Sequence, residues 1–256
     1  MSGPVMDTAA QERARIALPV VDVLRRPDGP RDRQFLYGAP VLVLSSQDGW
    51  AQIRAEKDGY TGYVPVAALT APLEATHWVS APATHAYAKP DFKSADQCSL
   101  SFGSLLRVSE TSGRFAATEL GHVPATHLMP IGSLMQDPVT VAEGFLGTPY
   151  LWGGDSRFGI DCSGLVQVAL MACGIACPGD SGPQERDLGR ALPEGSTYMR
   201  GDLLFWKGHV ALVRDGESII HANAHDMAVA IEPLEAAITR IAEQGDGPVT
   251  AHKRLS

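Results

Sequence analysis

Along the first half of the chain, apolar and polar residues alternate in short runs and do not recur at helical spacing. VLVLSS (41–46), WAQIRA (50–55) and GYVPV (62–66) are separated by the turn signals QDG and EKDG, which predicts strands joined by tight turns. LLRVSE, FAATE and GHVPA repeat the pattern further on. Short strands at this spacing predict small, partly open β-barrels. From residue 131 the pattern changes. IGSLMQDPV (131–139) reads as a connection and TVAEGFLG as a short helix. Over 162–173, Leu165, Val168, Ala169, Ala172 and Cys173 recur every three or four residues and predict a longer helix. Strands are predicted at 202–206, 209–215 and 218–222, with a fourth at 227–231 and a closing helix at 233–244. A helix leading into an antiparallel sheet is an α+β arrangement.

The two β-rich stretches are related. GYVPVAAL (62–69) matches GHVPATHL (121–128) at an offset of 59. Pro27-Asp28 matches Pro90-Asp91 at 63, and Tyr37-Gly38 matches Phe102-Gly103 at 65. Matched points in the same order indicate two diverged copies of one unit of about 60 residues. The offset is larger upstream of AEKDGYT than after it, so the first copy carries an extra loop there, which includes Tyr60. The expected organisation is an N-terminal extension (1–15), two β units (16–71 and 72–130) and an α+β unit (131–256).

Composition narrows the classes. A net charge of −8 argues against a phosphate-tracking surface, so nucleic acid is not an expected partner. No stretch reaches the roughly 20 apolar residues of a membrane span, and no membrane partner is expected. MSGPVMDTAAQERAR lacks the features of a secretory signal, so if Met1 is the start the expected location is the cytoplasm, with export by another route left open. Four cysteines (Cys98, Cys162, Cys173, Cys177) do not form a disulfide framework.

Cys162 falls at the start of the predicted helix 162–173, where unpaired N–H groups and the helix dipole favour a thiolate and can stabilise an oxyanion. A cysteine nucleophile needs a histidine within hydrogen-bond reach. His209 opens an apolar strand and shares a face with Ala211 and Val213, a face expected to pack towards that helix. His221 ends the next strand; a hairpin around RDGES brings the two histidines to the same end of the sheet, as a base and its orienting group require. The competing constellation is zinc on Cys173, Cys177, His209, His221 and His225. Cys173-x₃-Cys177 lacks a second paired-ligand motif, and Cys173 suits the apolar helix face, so no metal and no cofactor are expected.

PYLWGG (149–154), DCSGL (161–165), RGDLLFW (200–206), GHVALV (208–213) and IIHAN (219–223) occur in the order of the NlpC-type cell-wall endopeptidases, and over residues ~139–245 the chain resembles that family. The N-terminal repeats resemble, more weakly, the paired bacterial SH3-like domains that precede it in some members. The resemblance implies an α+β papain-like catalytic domain preceded by two small all-β SH3-like barrels. It implies a triad with Cys162 as nucleophile, His209 as base and His221 holding the His209 ring. Tyr150 would sit beside the nucleophile, and Trp152 of the same motif is a candidate substrate contact. The implied reaction is hydrolysis of the bond from the γ-carboxyl of D-glutamate to the diamino acid of peptidoglycan stem peptides.

A subgroup with paired SH3-like domains binds a free N-terminal L-alanine, and Asp180-Ser181, Ser163 and Tyr60 match its binding residues. A buried ammonium needs a carboxylate, which Asp180 supplies. Related domains often read Tyr-Gly-Glu where this chain has Tyr37-Gly38-Ala39, so Asp180 must suffice or another acid must substitute. The expected partner is a peptidoglycan-derived peptide, and the leading expectation an enzyme recycling free stem peptides. The alternatives are an exported lysin or toxin, a wall-binding module with a silent peptidase domain, and an amidase or acyltransferase on the same fold.

Overall fold

The computed structural model describes residues 12–255. The first β unit comprises β1 (Glu12–Ile16), β2 (Val20–Leu24), β3 (Arg31–Leu36), β4 (Pro40–Gln47), β5 (Trp50–Ala55), β6 (Thr61–Pro65) and β7 (Leu69–Thr70). They form one sheet in the order β3-β2-β6-β5-β4-β1-β7. Alternation drives its closure: Ala51, Ile53 and Ala55 of β5 turn inwards onto Val23, Val41 and Val64, while Gln52 and Arg54 turn out. The segment expected to be an extension falls partly outside the described residues (1–11). Its remainder is in the sheet, with β1 pairing β4 and β7.

The second unit comprises β8 (His77–Val79), β9 (Ala83–Tyr87), β10 (Asp96–Ser101), β11 (Leu105–Leu106), β12 (Val108–Ser112), β13 (Phe115–Thr118), β14 (Gly121–Pro124) and β15 (Leu128–Pro130). Its pairing repeats that of the first. β2 pairs with β3 and β6, and β9 pairs with β10 and β14. β1 pairs with β4 and β7, and β8 pairs with β11 and β15. A single turn of 3-10 helix follows β6 and β14 alike, at Val66–Ala68 and Ala125–His127. The counterpart of β4 is interrupted at Arg107, so the second unit is divided into sheets of five and three strands. The loop between β5 and β6 spans 56–60, against 119–120 between β13 and β14.

The α+β unit contains α1 (Pro138–Glu143), β16 (Asp155–Ser156), β17 (Gly159–Ile160), α2 (Cys162–Ala172), α3 (Ser181–Asp187) and β18 (Arg190–Ala191). It continues with β19 (Leu203–Trp206), β20 (His209–Val213), β21 (Ser218–Asn223), β22 (Ala228–Pro233), α4 (Leu234–Ile241) and β23 (Ala251–Arg254). The sheet order is β18-β23-β19-β20-β21-β22. α1 starts earlier than its apolar pattern predicts, because Asp137 caps it through Val139 N and Thr140 N and Pro138 occupies its first turn.

α2 covers one face of the sheet, with Leu165 and Ala169 packed among Leu203, Phe205, Val210, Leu212 and Ile220. α4 covers the other, with Leu234, Ala237 and Ile241 against Leu204, Ala211, Val213 and Ile219. The expected direction of Ala211 and Val213 is therefore wrong: they face α4, and Val210 and Leu212 face α2. Trp78 and Phe102 of the second β unit join the α2-side core, where Phe102 meets Phe145 edge-on at 5.6 Å. The second β unit is thus built into the core of the α+β unit and is not merely tethered to it.

Candidate active site

Cys162 is the first residue of α2 and Asp161 is its N-cap, accepting from Gly164 N at 2.7 Å and from Ser163 Oγ at 3.0 Å. The cap explains why α2 starts here and why Ser163 faces inwards. The Cys162 thiol is almost fully buried and lies 4.0 Å from the carbonyl of Gly208, the residue before His209. Backbone N–H groups of Val210, Ser163 and Cys162 favour a thiolate at this point. Burial, and then Asp161, outweigh them and push the thiol up to about 12. The helix terminus does not ionise the thiol by itself, contrary to the expectation from its position.

His209 comes from the start of β20 and His221 from β21, and the hairpin brings His209 Nε2 within 2.9 Å of His221 Nδ1. Burial, then the neighbouring His221 and Arg240, push the His209 imidazole down to about 3, so at neutral pH it is uncharged. Its Nδ1 is free of other hydrogen bonds among the described residues. Tyr150 bridges to Ile160 of β17 and is half-buried; burial, followed by the nearby Cys162, raises its hydroxyl well above the ordinary phenol value. The hydroxyl therefore stays protonated and able to donate. Trp152 is exposed, at 63% for the residue, and its carbonyl accepts from Arg31 at 3.0 Å.

Where the first β unit meets the α+β unit lies a cavity of about 530 Å³, walled by Lys57, Asp58 and Tyr60 of the extra loop and by Cys177, Asp180 and Arg186 of the α+β unit. Ser181 opens α3 directly behind Asp180, which is the helix N-cap but makes no side-chain capping bond. The carboxylate of Asp180 instead faces the cavity, with Arg33 Nη1 at 3.9 Å. Gln184, fully buried, fixes that corner by donating to the carbonyls of Ser163 and Pro178, both at 2.9 Å. Burial, opposed by Arg33, raises the Asp180 carboxyl, and Asp32 and Asp58 raise it further. The site is therefore rich in acids that would be relieved by a cation.

Several residues here carry no sequence signal. Asp32 accepts the Tyr60 hydroxyl at 2.9 Å, so the acid that meets Tyr60 comes from β3 and not from the region of Ala39, which packs against the core of the first unit. Arg33, buried, stacks on the Tyr60 ring at 5.3 Å and donates to Asp155 at 3.3 Å and Gln167 at 2.9 Å. Lys57 donates to the same two residues at 3.1 and 2.9 Å. Asp155 is buried, which alone would raise its carboxyl, but Lys57 and Arg33 hold it below the usual carboxylate range. None of these partners is close in sequence, and only the extra loop around Tyr60 hints at them.

Cys173 and Cys177, considered above as zinc ligands, are free thiols. Among the described residues no group of three His, Cys, Asp or Glu side chains is arranged to hold a metal ion. No helix among them is long and apolar enough to cross a membrane.

A cysteine at a helix start, a histidine pair on an antiparallel sheet and a preceding β barrel agree with the comparisons to known proteins. Residues 147–241 match the NlpC/P60 family, and residues 23–69 match the bacterial dipeptidyl-peptidase Sh3 domain. The chain belongs to the NlpC/P60 family. Among its relatives, the γ-D-glutamyl-L-lysine dipeptidyl-peptidase of Bacillus subtilis is 31% identical over 78% of this chain and 75% of its own length. Dipeptidyl-peptidase 6 of Lysinibacillus sphaericus is 26% identical over 79% of this chain and 83% of its own. An NlpC/P60 family protein from Bacillus cereus shares the fold over 95% of this chain and 99% of its own, with a TM-score of 0.80 at 22% identity.

Proposed function

We propose that this protein is a cysteine endopeptidase that hydrolyses the γ-D-glutamyl–L-diamino acid bond of peptidoglycan stem peptides, and that it takes free peptides bearing an N-terminal L-alanine. The observation that carries this reading is the position of Tyr60, Asp58 and Asp180 around one cavity, whose Pro178 wall is tied through Gln184 to Ser163, the residue after Cys162. In this reading the wall contributed by the first β unit limits the cleft to a short stretch of peptide before the scissile bond. The carboxylates supply what a terminal ammonium needs.

In the proposed reaction His209 Nδ1 takes the thiol proton as Cys162 Sγ attacks the γ-carbonyl carbon. Backbone N–H groups at the start of α2 and the Tyr150 hydroxyl stabilise the oxyanion. His209 returns the proton to the leaving amine, and water then hydrolyses the thioester on Cys162. His221 orients the base. Ser163 and Ser181 border the acyl part of the peptide, and Trp152 flanks the cleft entrance.

We further propose that residues 77–130 are a second SH3-like domain, on the ground that their strand pairing repeats that of 12–70. A role in recycling would place the enzyme in the cytoplasm, and four unpaired thiols suit a reducing compartment. The test is incubation of purified protein with L-Ala-γ-D-Glu-L-Lys and its diaminopimelate counterpart, with products read by mass. Release of L-Ala-D-Glu by the wild type and not by C162A is expected. An intact substrate with a reduced, folded enzyme would contradict the assignment.

A further inference from the structure

The histidine pair does not end at His221. On β22, next in the sheet, Glu232 Oε2 lies 2.9 Å from His221 Nε2. Arg240 of α4 grips that carboxylate with both arms, Nε to Oε1 at 2.7 Å and Nη2 to Oε2 at 2.6 Å. Gln244 steadies the guanidinium by accepting from Nη1 at 2.8 Å. Three neighbouring elements, β21, β22 and α4, thus converge on one ring nitrogen, and none of these residues lines the cavity described above. His221 is 1% exposed, and the contacts are not those of a surface ion pair.

We propose that Glu232, held by Arg240, is a positioning residue for the reaction: its carboxylate fixes the proton on His221 Nε2, and through His221 fixes which nitrogen of His209 faces the thiol. A carboxylate only accepts, so His221 Nε2 must carry a proton. His221 Nδ1 is then a lone pair, and the 2.9 Å contact requires His209 Nε2 to be the donor. His209 Nδ1 is left as the basic nitrogen, the form that can receive the Cys162 proton. The opposite tautomer would present an N–H to the thiol and leave no base there.

One neighbour competes. The Asn223 amide nitrogen is 3.1 Å from His221 Nε2, but the same amide donates to Asp226 at 3.0 Å. The charged Glu232 therefore wins the contact, and two donors face each other at 3.1 Å without bonding. Glu232 stays ionised: burial acts to raise its carboxyl, but hydrogen bonds from His221 and Arg240 bring it down to about 2. The charge also stabilises the imidazolium that forms when His209 takes the proton, whereas Arg240 opposes it. The groups facing this relay are the Trp206 ring from β19, Asn223 at the end of β21 with Asp226 beyond it, and Arg240 with Gln244 from the α4 side.

This inference rests on Cys162 and His209 being nucleophile and base, and the experiment separates the two. The pH dependence of kcat/KM on the stem tripeptide, and of Cys162 alkylation by iodoacetamide, is measured for wild type, E232Q, E232D and R240Q, with turnover by C162A and H209A as controls. E232Q should lose about 10- to 100-fold in kcat with KM unchanged, by analogy with carboxylates that orient other histidines. Its acid limb should move to lower pH, because a negative charge near His209 is gone, and E232D should restore part of the rate. R240Q should move the limb the other way. ¹⁵N spectra of the wild type should show His221 protonated at Nε2 and His209 unprotonated at Nδ1. An E232Q enzyme that melts lower but keeps the wild-type rate and pH profile would overturn the proposal, as would the opposite tautomers. Turnover by C162A or H209A would instead overturn the underlying assignment.

Discussion

At the residue scale the resting centre is a neutral thiol beside a neutral imidazole, with Cys162 pushed up to about 12 and His209 down to about 3. Two consequences are measurable. Alkylation of Cys162 should be slow at pH 7 and keep rising beyond pH 9, where an ordinary thiol has levelled off. His209 is also a stability group with a definite sign. Its folded-state value lies below the ordinary imidazole value of about 6.5, so the unfolded chain binds the proton first. The stability this confers is present above about pH 6.5 and is lost as pH falls towards 3. Urea unfolding of H209N should show a shallower loss over that window than the wild type. Among single changes, C162A and H209A should each cost about 10³-fold or more in rate with peptide binding retained, and H221A less, since an orienting group is more replaceable than the base. Stopped turnover and calorimetric binding on the same preparations check both halves. The proposed trio of Cys162, His209 and His221 could be picked out in the sequence because each member sits in a contiguous motif, and the structure brings the two histidines together. Glu232 and Asp32 are not legible, because their partners are fixed by sheet register and strand crossing, which leave no spacing pattern.

At the scale of elements, two glycines show how closely the pieces fit. A Cβ on Gly164, in the first turn of α2, would lie 2.6 Å from the Gly154 carbonyl, and backbone cannot step aside. G164A should therefore shift α2 against the PYLWGG segment and abolish activity while leaving a folded protein, as read by circular dichroism and turnover together. A Cβ on Gly179 would lie 2.0 Å from the Arg33 guanidinium and 3.1 Å from the Tyr60 ring. G179A should raise KM several-fold by displacing the wall of the cavity, with a much smaller change in kcat, and steady-state kinetics on the tripeptide separate the two. Strands β19 to β22 and helix α2 are legible from periodicity alone. The side of the sheet faced by Ala211 and Val213 is not, because both faces of this sheet are covered by helices and the run is apolar throughout. β23 escapes notice for the opposite reason: its residues, AHKR, are mostly polar, and it belongs to the sheet through pairing with β19 and β18.

At the scale of the molecule, a buried ionic knot joins the first β unit to the catalytic unit. Arg33 and Lys57 on one side meet Asp155 and Gln167 on the other, with Arg33 and Asp155 almost wholly out of water. Removing one partner leaves an uncompensated buried charge, so D155A should lose about 3–5 kcal/mol of stability in urea unfolding. The internal repeat is legible in the sequence, and so is the extra loop in its first copy. What that loop does is visible only in the fold, where Lys57 and Asp58 reach across to Asp155 and Gln167 of the catalytic unit, and Tyr60, held by Asp32 of its own unit, lines a cavity shared with Asp180. The central claim is that this reach turns a general cysteine peptidase centre into one that requires a free amino terminus. The direct measurement offers the enzyme the same stem tripeptide with its L-alanine amine free and with that amine acetylated, and compares kcat/KM. The account predicts cleavage after D-glutamate for the free peptide and a loss of at least about 100-fold for the acetylated one, the order expected when a buried charge loses its partner. Equal cleavage of the two would contradict it, and would assign the wall formed by Tyr60 and Asp180 to structure alone.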